Sequence, residues 1–556
     1  MLSNKEVSKI FKLMADLMEL HNENAFKAKS YANSAFQIGR VEGSVMQMNL
    51  QQLENTPGIG KSVASKIIEL QQTGTMQVLE NLMQLTPAGV LEIMHIKGLG
   101  AKKVAVIWKE LNIESVGELL YACYENRLSK LKGFGEKTQQ SVIASIEYYQ
   151  SNLGKFHFAT VAVEANAMVE MLKEKLQIDK VSLCGDVRRM TNILDNIEII
   201  IPAGKEVVNK LEPVNFFEIE KIEDDFIIGK SYGRMPCKIY FSNAENFYYD
   251  LFVLTGSSDH VNKITTQIKN QQFQFQSEED IYKMAGVNYI LPELREGGIN
   301  LETIKNNALV SDADIKGVVH NHSTWSDGKN TIEQMAQACI NSGYEYFVIS
   351  DHSKTAVYAG GLKAEDVLRQ HSEIDDLNNK LRPFKIFKSI ESDILNDGSL
   401  DYDESILKQF DLVIASVHSN LKMDEEKATK RLLKTIENPY TTILGHMTGR
   451  LLLSRPGYPI DHKKIIEACA ANLVIIEINA NPYRLDIDHT WIPFAMEKGV
   501  MISINPDAHS IEGINDIHWG IISARKGALT KTMTWNAMSL SEIEIWLRER
   551  KIKKGI

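Results

Sequence analysis

The sequence has few cysteines and no long apolar run, and each shortage excludes a class of protein. Its five cysteines are widely separated among 556 residues and form no CxxC pair. A disulfide framework and a cysteine-based zinc finger are therefore excluded, and a reducing cytoplasm is favoured. No run of about 18 apolar residues occurs, so no membrane span is predicted. The net charge is −10, and on this figure alone a partner as acidic as DNA is not expected.

The composition is that of a folded protein made of several domains. Hydrophobic residues make up 44% and charged residues 24%, which excludes general disorder. At roughly 150 residues per domain, the length predicts about four domains. Residues 1–20 carry Glu6, Asp16 and Glu19 within an apolar pattern, which predicts an amphipathic helix rather than a signal peptide.

Three segments near the N-terminus repeat one pattern, in which an apolar residue lies between two glycines and a lysine follows. They read TPGIGK from Thr56, IKGLGAK from Ile96 and LKGFGEK from Leu131. Glycine allows a tight turn and a close approach of phosphate, and the next helix offers free N–H groups at its N-terminus. The pattern predicts helix–hairpin–helix units that bind a nucleic-acid backbone without reading its sequence, even in an acidic protein. The predicted DNA-binding residues are Gly58, Gly60, Lys61, Gly98, Gly100, Lys102, Gly133, Gly135 and Lys137.

Short apolar strands alternate with helices from about Phe156 to Glu296. Two landmarks are CGDVRRMTNILDNIEIIIP from Cys184 and LTGSSDHVNKI from Leu254. With the three hairpins and LPELREG from Leu291, they resemble the bacterial family X DNA polymerases. The resemblance implies a palm and a thumb, and it implies that Arg188 and Arg189 contact a nucleotide, with ion pairing as the alternative.

The resemblance fails at the residues that carry polymerase chemistry. In that family three palm aspartates hold two magnesium ions, and the aligned positions here are Asn196, Glu198 and Lys238. An amide and an ammonium are poor ligands for Mg²⁺. We therefore expect nucleotidyltransferase activity and magnesium binding at the palm to be lost.

A shifted carboxylate site would keep the polymerase active. Asp195, Glu198 and Asp250 are the candidates, but Asp195 and Glu198 are three residues apart and point to opposite faces of a strand. An active gap-filling polymerase with an added exonuclease is therefore the alternative function.

Lys66 lies in the first helix–hairpin–helix region. The resemblance to family X lyase domains implies that its amine forms a Schiff base with an abasic sugar phosphate. A phosphate contact or a solvated charge is the alternative role.

In the last 240 residues, apolar strands again alternate with helices, and most strands end in or near a histidine or an acid. This alternation predicts a parallel α/β sheet or barrel, and barrels place active sites at these strand ends. HNHSTWSDG, ISDHSK, SVHS, HMTGR, EINANPYRLD and PDAHS resemble motifs of the polymerase-and-histidinol-phosphatase (PHP) domain, which is fused to bacterial family X polymerases. The resemblance implies a site for three divalent metal ions with the ligands His320, His322, Asp327, His352, Glu391, His418, His446, Asp507 and His509.

Mixed imidazole and carboxylate ligands suit several divalent ions. We expect Mn²⁺, with Zn²⁺ or Fe²⁺ as alternatives, and the resemblance implies that Glu391 bridges ions. Arg450 and Arg484 are predicted to bind the substrate phosphate, because a guanidinium matches phosphate oxygens. Structural ion pairs are the alternative role for both.

The predicted fold class is multidomain, with α-helical hairpin modules, an α+β nucleotidyltransferase-like palm and thumb, and a C-terminal α/β distorted, TIM-like PHP barrel. The predicted domains are lyase-like (1–90), fingers-like (91–152), palm-like (153–236), thumb-like (237–300), linker (301–316) and PHP (317–556).

The leading hypothesis is a DNA-binding, metal-dependent 3′–5′ exonuclease or 3′-end phosphoesterase. We expect a cytoplasmic monomer that acts in base excision repair on gapped, nicked or 3′-ended DNA. A small-molecule phosphatase of the histidinol-phosphatase type is an alternative, although such a substrate requires no hairpin modules. A catalytically silent DNA-binding scaffold is another.

Overall fold

Helices form the N-terminal unit, Met1–Leu153. The computed structural model describes residues 2–211, 217–233, 235–268, 274–296 and 308–556. The helices of this unit are α1 Asn4–Leu20, α2 Ala25–Ile38, α3 Leu50–Glu54, α4 Lys61–Thr73, α5 Gln77–Leu85, α6 Ala88–Ile93, α7 Ala101–Leu111, α8 Val116–Tyr124 and α9 Glu136–Ser151.

One hydrophobic core joins these nine helices. It runs from Val7 in α1 to Ile146 in α9, and α1 buries the apolar face that its amphipathic pattern predicts. A capping box begins α1, because Ser3 accepts from the backbone N–H of Glu6 and the Glu6 carboxylate accepts from Ser3 in return. The predicted boundary between residues 90 and 91 lies within α6 and within this shared core, so the structure does not divide the unit there.

The second unit, Gly154–Ile556, begins with a mixed sheet. We call this five-stranded sheet, in the order β2-β4-β7-β6-β5, the palm sheet. The elements of the palm and thumb region are β1 Phe156–His157, α10 Phe158–Leu176, β2 Ser182–Leu183, α11 Gly185–Arg188, β3 Ile193–Leu194, β4 Ile197–Ile201, α12 Val208–Leu211, β5 Phe217–Ile222, β6 Phe226–Ser231, β7 Pro236–Phe241, α13 Phe247–Thr255, α14 Ser258–Thr265 and α15 Glu278–Met284.

Strand β7 determines where the palm ends. It pairs in parallel with β4 and antiparallel with β6, so all of it belongs to the palm sheet. The predicted boundary between residues 236 and 237 therefore lies inside a strand. Residue pairing between β4 and β7, which no local pattern reveals, places the end of the palm beyond Phe241.

The C-terminal region is built of parallel strands alternating with helices. Its elements are β8 Gly317–Asn321, α16 Ile332–Asn341, β9 Tyr346–Ile349, α17 Ala364–Lys380, β10 Lys385–Lys388, β11 Glu391–Asp393, α18 Glu404–Leu407, β12 Val413–Ser416, α19 Glu425–Glu437, β13 Thr441–Leu444, α20 His462–Asn472, β14 Ile475–Asn479, α21 Ile492–Glu497, β15 Ile502–Asn505, α22 Ile517–Lys526 and α23 Leu540–Lys554.

Two parallel sheets, β10-β9-β8 and β11-β12-β13-β14-β15, form the wall of this region. Parallel bridges from Asn321 to Ala508 and from His352 to Glu391 continue the pairing from one sheet to the other. The result is a distorted α/β barrel, and the predicted multidomain fold class is confirmed. Apart from β10, whose two end residues are only half-buried, these strands are buried along their whole length, as parallel barrel strands are.

The predicted linker, 301–316, is only partly described. Residues 301–307 lie outside the described residues, whereas Leu309 and Val310 already pair with Thr530 and Leu529 of the barrel. The barrel therefore begins before the predicted start at residue 317. In the described part of the chain, no helix has the length and apolarity needed to cross a bilayer.

Candidate metal centre

The nine predicted ligands converge at one site of the barrel: eight lie near or after the carboxyl end of a strand, and Glu391 is the first residue of β11. Their ligand atoms form overlapping groups, and within each group all atoms lie within 4.8 Å of one another. We call these nine residues the metal centre. The groups are His322, Asp327, His352 and His509; His320, His322 and Glu391; His320, His446 and Asp507; and His352, Glu391 and His418.

Glu391 lies in the middle of the metal centre. Its Oε1 atom is 3.0 Å from His446 Nε2, 3.1 Å from His418 Nε2 and 3.2 Å from His320 Nε2. Its Oε2 atom is 2.9 Å from His352 Nδ1. Burial opposes a charge on this side chain, yet the surrounding imidazoles hold the pKa of Glu391 well below its usual range. A carboxylate shared by several imidazole groups has the charge and the position to help hold a divalent cation.

The surroundings of His322 and Asp327 lower the pKa of both side chains, which favours the deprotonated forms that bind cations. Burial, together with the neighbouring His509 and His352 rings, lowers the pKa of His322 to about 3. Its imidazole is therefore neutral near pH 7, with a lone pair free to bind. Burial opposes the charge on Asp327, but a hydrogen bond from His509 and the nearby imidazoles lower the pKa of Asp327 to about 2. Metal ligands must be deprotonated in this way.

Buried nitrogen atoms support a cation site. His320 Nε2, His322 Nδ1 and His446 Nδ1 make no hydrogen bond to any described residue. Buried polar atoms normally have a partner, so these three are available for another ligand. The donor set of imidazoles and carboxylates fits Mn²⁺, Zn²⁺ or Fe²⁺.

Two buried carboxylates contact the ring nitrogens of ligand histidines on the side away from the metal centre. Neither was predicted from the sequence. Asp393 Oδ1 is 2.5 Å from His418 Nδ1, and Glu477 Oε2 is 2.6 Å from His320 Nδ1. Such contacts orient a ligating imidazole with its other nitrogen toward the metal. Available sequence signals were an acid two residues after Glu391, and an acid within the apolar strand IIEIN.

Two ligands have unusual backbone conformations. His320 has φ 63° and Asp507 has φ 53°, values in the left-handed region that residues other than glycine rarely adopt. His320 lies in the register shift of β8 between Val318 and Asn321, Asp507 follows the last paired residue of β15, and both side chains face the metal centre. Such conformations are often found at functional sites.

Arg450 and Arg484 differ in position. Arg450 donates from Nε to the Arg484 carbonyl at 2.9 Å, from Nη1 to Asp488 at 2.6 Å and from Nη2 to the Leu485 carbonyl. Its guanidinium is therefore occupied by the loop that carries Arg484. Arg484 Nε lies 3.9 Å from Asp507 Oδ2, and its side chain is 21% exposed. Of the two, Arg484 faces the metal centre.

The palm positions form a different arrangement. Glu198 in β4 and Lys238 in β7 are directly paired across the palm sheet. Tyr240 donates to Glu198 Oε1 at 2.9 Å, and Lys238 Nζ lies 3.8 Å and 4.4 Å from the ring centroids of Phe226 and Tyr240. No cluster of three ligand-type side chains occurs here among the residues described.

Glu198 also fills the space above the turn at Gly185. A Cβ atom on Gly185 would lie 1.7 Å from Glu198 Oε2, so the carboxylate lies directly against this backbone. The space beside Gly185 is occupied by a side chain.

Arg188 and Arg189 form internal ion pairs. Arg188 contacts Glu278 at 2.5 Å and Thr255 Oγ1 at 2.9 Å, and Arg189 pairs with Asp186 and with the Thr255 carbonyl. This arrangement matches the alternative role of structural ion pairing.

Lys66 is also paired. Its Nζ atom donates to Glu69 Oε2 at 2.5 Å, and Glu69 Oε1 accepts from the Gln77 backbone N–H at 2.7 Å. The Lys66 side chain is only 22% exposed, so its ammonium group belongs to the contact between α4 and α5.

The three glycine turns, 58–60, 98–100 and 133–135, share one geometry. Their first glycines, Gly58, Gly98 and Gly133, have φ between +82° and +91°, which glycine adopts without strain. The apolar residue between the glycines is buried in each case, as Ile59, Leu99 and Phe134.

The second glycine of each turn caps a helix. Gly60, Gly100 and Gly135 are the N-caps of α4, α7 and α9, and no atom lies within 4 Å of a Cβ built on any of them. The helix N-termini are therefore open, with Lys61, Lys102 and Lys137 in their first turns. Lys102 also lies 3.4 Å from Glu19.

Comparison with known proteins matches three families along the chain. A helix-hairpin-helix domain matches residues 2–76, a SAM-like helix-hairpin-helix tandem matches residues 90–147, and a PHP domain matches residues 319–481.

Individual relatives match either the whole chain or its barrel. The DNA polymerase/3'-5' exonuclease PolX of Bacillus subtilis (strain 168) is 33% identical over 571 aligned positions, which cover 98% of this chain and 99% of the relative. A probable phosphatase of Thermoanaerobacter sp. (strain X514) is 29% identical over 254 positions, covering 42% of this chain and 96% of the relative. A probable phosphatase of Vibrio campbellii is 24% identical over 219 positions, covering 37% and 81%.

Proposed function

Because this chain belongs to the PolX family of DNA polymerases and 3′–5′ exonucleases, we propose that it is a metal-dependent 3′–5′ exonuclease or 3′-end phosphoesterase whose polymerase activity is lost. The convergence of all nine ligand side chains at the barrel strand ends carries this proposal. The palm supports the proposed loss of polymerase activity, since Asn196, Glu198 and Lys238 occupy the positions of the family's magnesium-binding aspartates.

The residues in and beside the metal centre have different roles in the proposed phosphodiester hydrolysis. Divalent cations bound there would lower the pKa of a water molecule and neutralise charge on the phosphate. Glu391 and Asp507 would hold those cations with their carboxylates. Arg484, beside Asp507, binds a phosphate oxygen through its guanidinium, while Arg450 keeps the Arg484 loop in place.

The N-terminal unit supplies DNA binding. Three glycine turns with open helix N-termini and adjacent lysines suit contacts to the phosphate backbone. We propose that the substrates are gapped, nicked or 3′-ended DNA in base excision repair, and that the protein acts as a cytoplasmic monomer with Mn²⁺ as its cation.

A labelled primer tests the exonuclease directly. With Mn²⁺, the wild-type protein is expected to shorten the primer from its 3′ end, and His320→Ala and Asp507→Ala are each expected to abolish shortening. His518→Ala is the matched control, because His518 lies in the same barrel, half exposed and paired with Asp312. Shortening that survives both ligand substitutions would refute the site assignment.

Primer extension tests the loss of polymerase activity. The His320→Ala variant, given dNTPs with Mg²⁺ or Mn²⁺, is expected to add no templated nucleotide. Templated extension would show that the palm is active despite Asn196, Glu198 and Lys238, and the gap-filling polymerase would then be the better description.

Small-molecule phosphatase activity is a second candidate, because proteins named as probable phosphatases match the barrel region. We expect the wild-type protein to hydrolyse a 3′-ended oligonucleotide much faster than p-nitrophenyl phosphate. The reverse preference, together with failure to bind DNA at low salt, would favour the phosphatase.

A further inference from the structure

Glu477 is a completely buried acid in the apolar strand β14. Its Oε2 atom is 2.6 Å from His320 Nδ1 and accepts from Asn505 Nδ2 at 2.7 Å. Its Oε1 atom accepts from the His446 backbone N–H at 3.1 Å and from Asn479 Nδ2 at 3.3 Å. The carboxylate therefore has four polar neighbours, two on each oxygen.

The neighbours of Glu477 are all donors. Asn505 uses its oxygen to accept from Ser503 Oγ at 2.6 Å, and Asn479 uses its oxygen to accept from the Asn481 backbone N–H at 3.2 Å. Both amides must therefore turn their NH₂ groups toward Glu477. In a neutral His320, an acceptor-only partner on Nδ1 would hold the proton there and leave Nε2 as the nitrogen that would bind a cation.

The contacts of Glu477 select one group of ligands. Asn479 Nδ2 also donates to Asp507 Oδ2 at 3.0 Å, so Glu477 reaches His320, the His446 backbone and, through one amide, Asp507. These three residues form one of the ligand groups. Asp393, in contrast, contacts His418 of a different group.

We propose that Glu477 is a positioning residue for the cation site formed by His320, His446 and Asp507. It determines how tightly this one site binds its cation. This inference rests on the metal-dependent function proposed above. Its action is indirect: it holds the imidazole, one backbone segment and one carboxylate in the arrangement that binds the cation.

Titration of metal-free protein with Mn²⁺, followed by calorimetry and elemental analysis, tests the inference. Glu477→Gln is nearly isosteric, but it places an NH₂ group against donors. We expect one equivalent of Mn²⁺ to bind about 10- to 100-fold more weakly, as is typical when an outer carboxylate is changed, while the other equivalents bind as in the wild type. Binding of every equivalent as in the wild type would overturn the proposal.

Glu293→Gln is the matched control. Glu293 is also buried and accepts from Arg525 Nε at 3.0 Å and from Arg525 Nη2 at 2.7 Å, and it contacts no ligand imidazole in the described structure. Its Mn²⁺ titration is expected to equal that of the wild type. Equal weakening in both variants would assign the effect to any amide at a buried acid and would overturn the role of Glu477.

A second variant covers the case in which Glu477→Gln does not fold. Glu477→Asp keeps a carboxylate but ends one methylene short of His320, and it is expected to weaken the same equivalent; unchanged binding would contradict the proposal. The titration decides this question whether or not the protein degrades DNA. A protein that binds three cations yet shortens no primer would refute only the proposed function.

Discussion

The palm and the barrel are two α/β regions of one compact unit. They differ in how side chains at the expected metal-ligand positions are arranged. In the barrel, nine imidazoles and carboxylates face one another around Glu391. In the palm, two of the positions aligned with the family's aspartates have partners within the chain. Glu198 accepts from Tyr240, and Lys238 lies over two aromatic rings.

The difference lies in which polar atoms are left without partners. Three buried imidazole nitrogens of the metal centre make no hydrogen bond to a described residue, and this is costly in a protein interior unless another ligand binds. Glu198 and Lys238 of the palm have partners within the chain instead.

The largest expected effect is at the centre of the barrel. Glu391→Gln removes the carboxylate that four imidazoles contact, and we expect exonuclease activity to fall by about 10³-fold, because cations contribute several kcal/mol to hydrolysis and each ~1.4 kcal/mol is a factor of ten. Initial rates on a labelled primer measure this. Removing the cations with a chelator should lower activity equally, and adding Mn²⁺ should restore it in the wild type alone. A Glu391→Gln variant with wild-type exonuclease activity would show that the metal centre of the barrel is not the active site.

A substitution at the ion pair between palm residue Arg188 and thumb residue Glu278 should change stability rather than activity. Glu278 is 5% exposed and lies 2.5 Å from Arg188 and 2.6 Å from Arg295. Glu278→Gln leaves two buried guanidinium groups without their carboxylate, and we expect the free energy of unfolding to fall by about 3–5 kcal/mol. Urea unfolding measures it. Asp224→Asn, at an exposed pair with Lys205, should change stability by less than about 1 kcal/mol.

The same ion pair has a defined pH dependence. Burial raises the pKa of Glu278, but hydrogen bonds and charge from Arg188 and Arg295 outweigh it and lower the pKa below its usual range. Because the folded state binds the proton less tightly than the unfolded state, the stabilisation is present at neutral pH and is lost as the pH falls below the ordinary glutamate range. The unfolding difference between wild type and Glu278→Gln should therefore shrink in acid, and a constant difference would contradict the assignment.

A smaller effect should separate the two arginines near the metal centre. Arg484→Ala removes a charged hydrogen bond of about 1.5–3 kcal/mol to phosphate, so we expect KM for DNA to rise about 10- to 100-fold with Mn²⁺ binding unchanged. Steady-state kinetics and a Mn²⁺ titration measure the two. Arg369→Ala is the control, because Arg369 is exposed and pairs with Asp366. An unchanged KM would return Arg484 to a structural role.

The smallest effects belong to the glycine turns. Replacing Lys61 and Lys137 by alanine should weaken DNA binding uniformly across sequences and lower the slope of log affinity against log salt by about 2, since each phosphate contact contributes about 1. Fluorescence anisotropy over a salt series measures the slope. Lys12→Ala in α1, an exposed lysine paired with Asp16, should leave it unchanged. Equal slopes in all variants would remove these lysines from the DNA interface.

Local patterns predicted the features that depend on a few neighbouring residues. The glycine turns follow from spacing within six residues, and the nine converging side chains follow from motifs at strand ends, because parallel strands bring their carboxyl ends to one edge. The fold class and the family were confirmed. The ligand roles themselves, and the role of each lysine, stay predictions.

Features that depend on distant contacts were not predictable. Glu477 resembles any acid in a strand until His320 and Asn505, far away in sequence, pack against it. Arg450 and Arg484 look alike in their motifs, and only the folded loop shows that Arg450 is occupied by backbone carbonyls. The predicted end of the palm at residue 236 falls inside strand β7, whose pairing with β4 joins residues 40 positions apart.

The paired side chains of the palm sheet also bear on how this protein can change over generations. Lys238→Asp would put two carboxylates at paired positions, and Glu198→Asp would shorten the side chain that Tyr240 donates to. Each single change loses a favourable contact, so the effects of substitutions at the two positions depend on one another. The order in which such mutations arise would therefore matter for any lineage that passes through this arrangement.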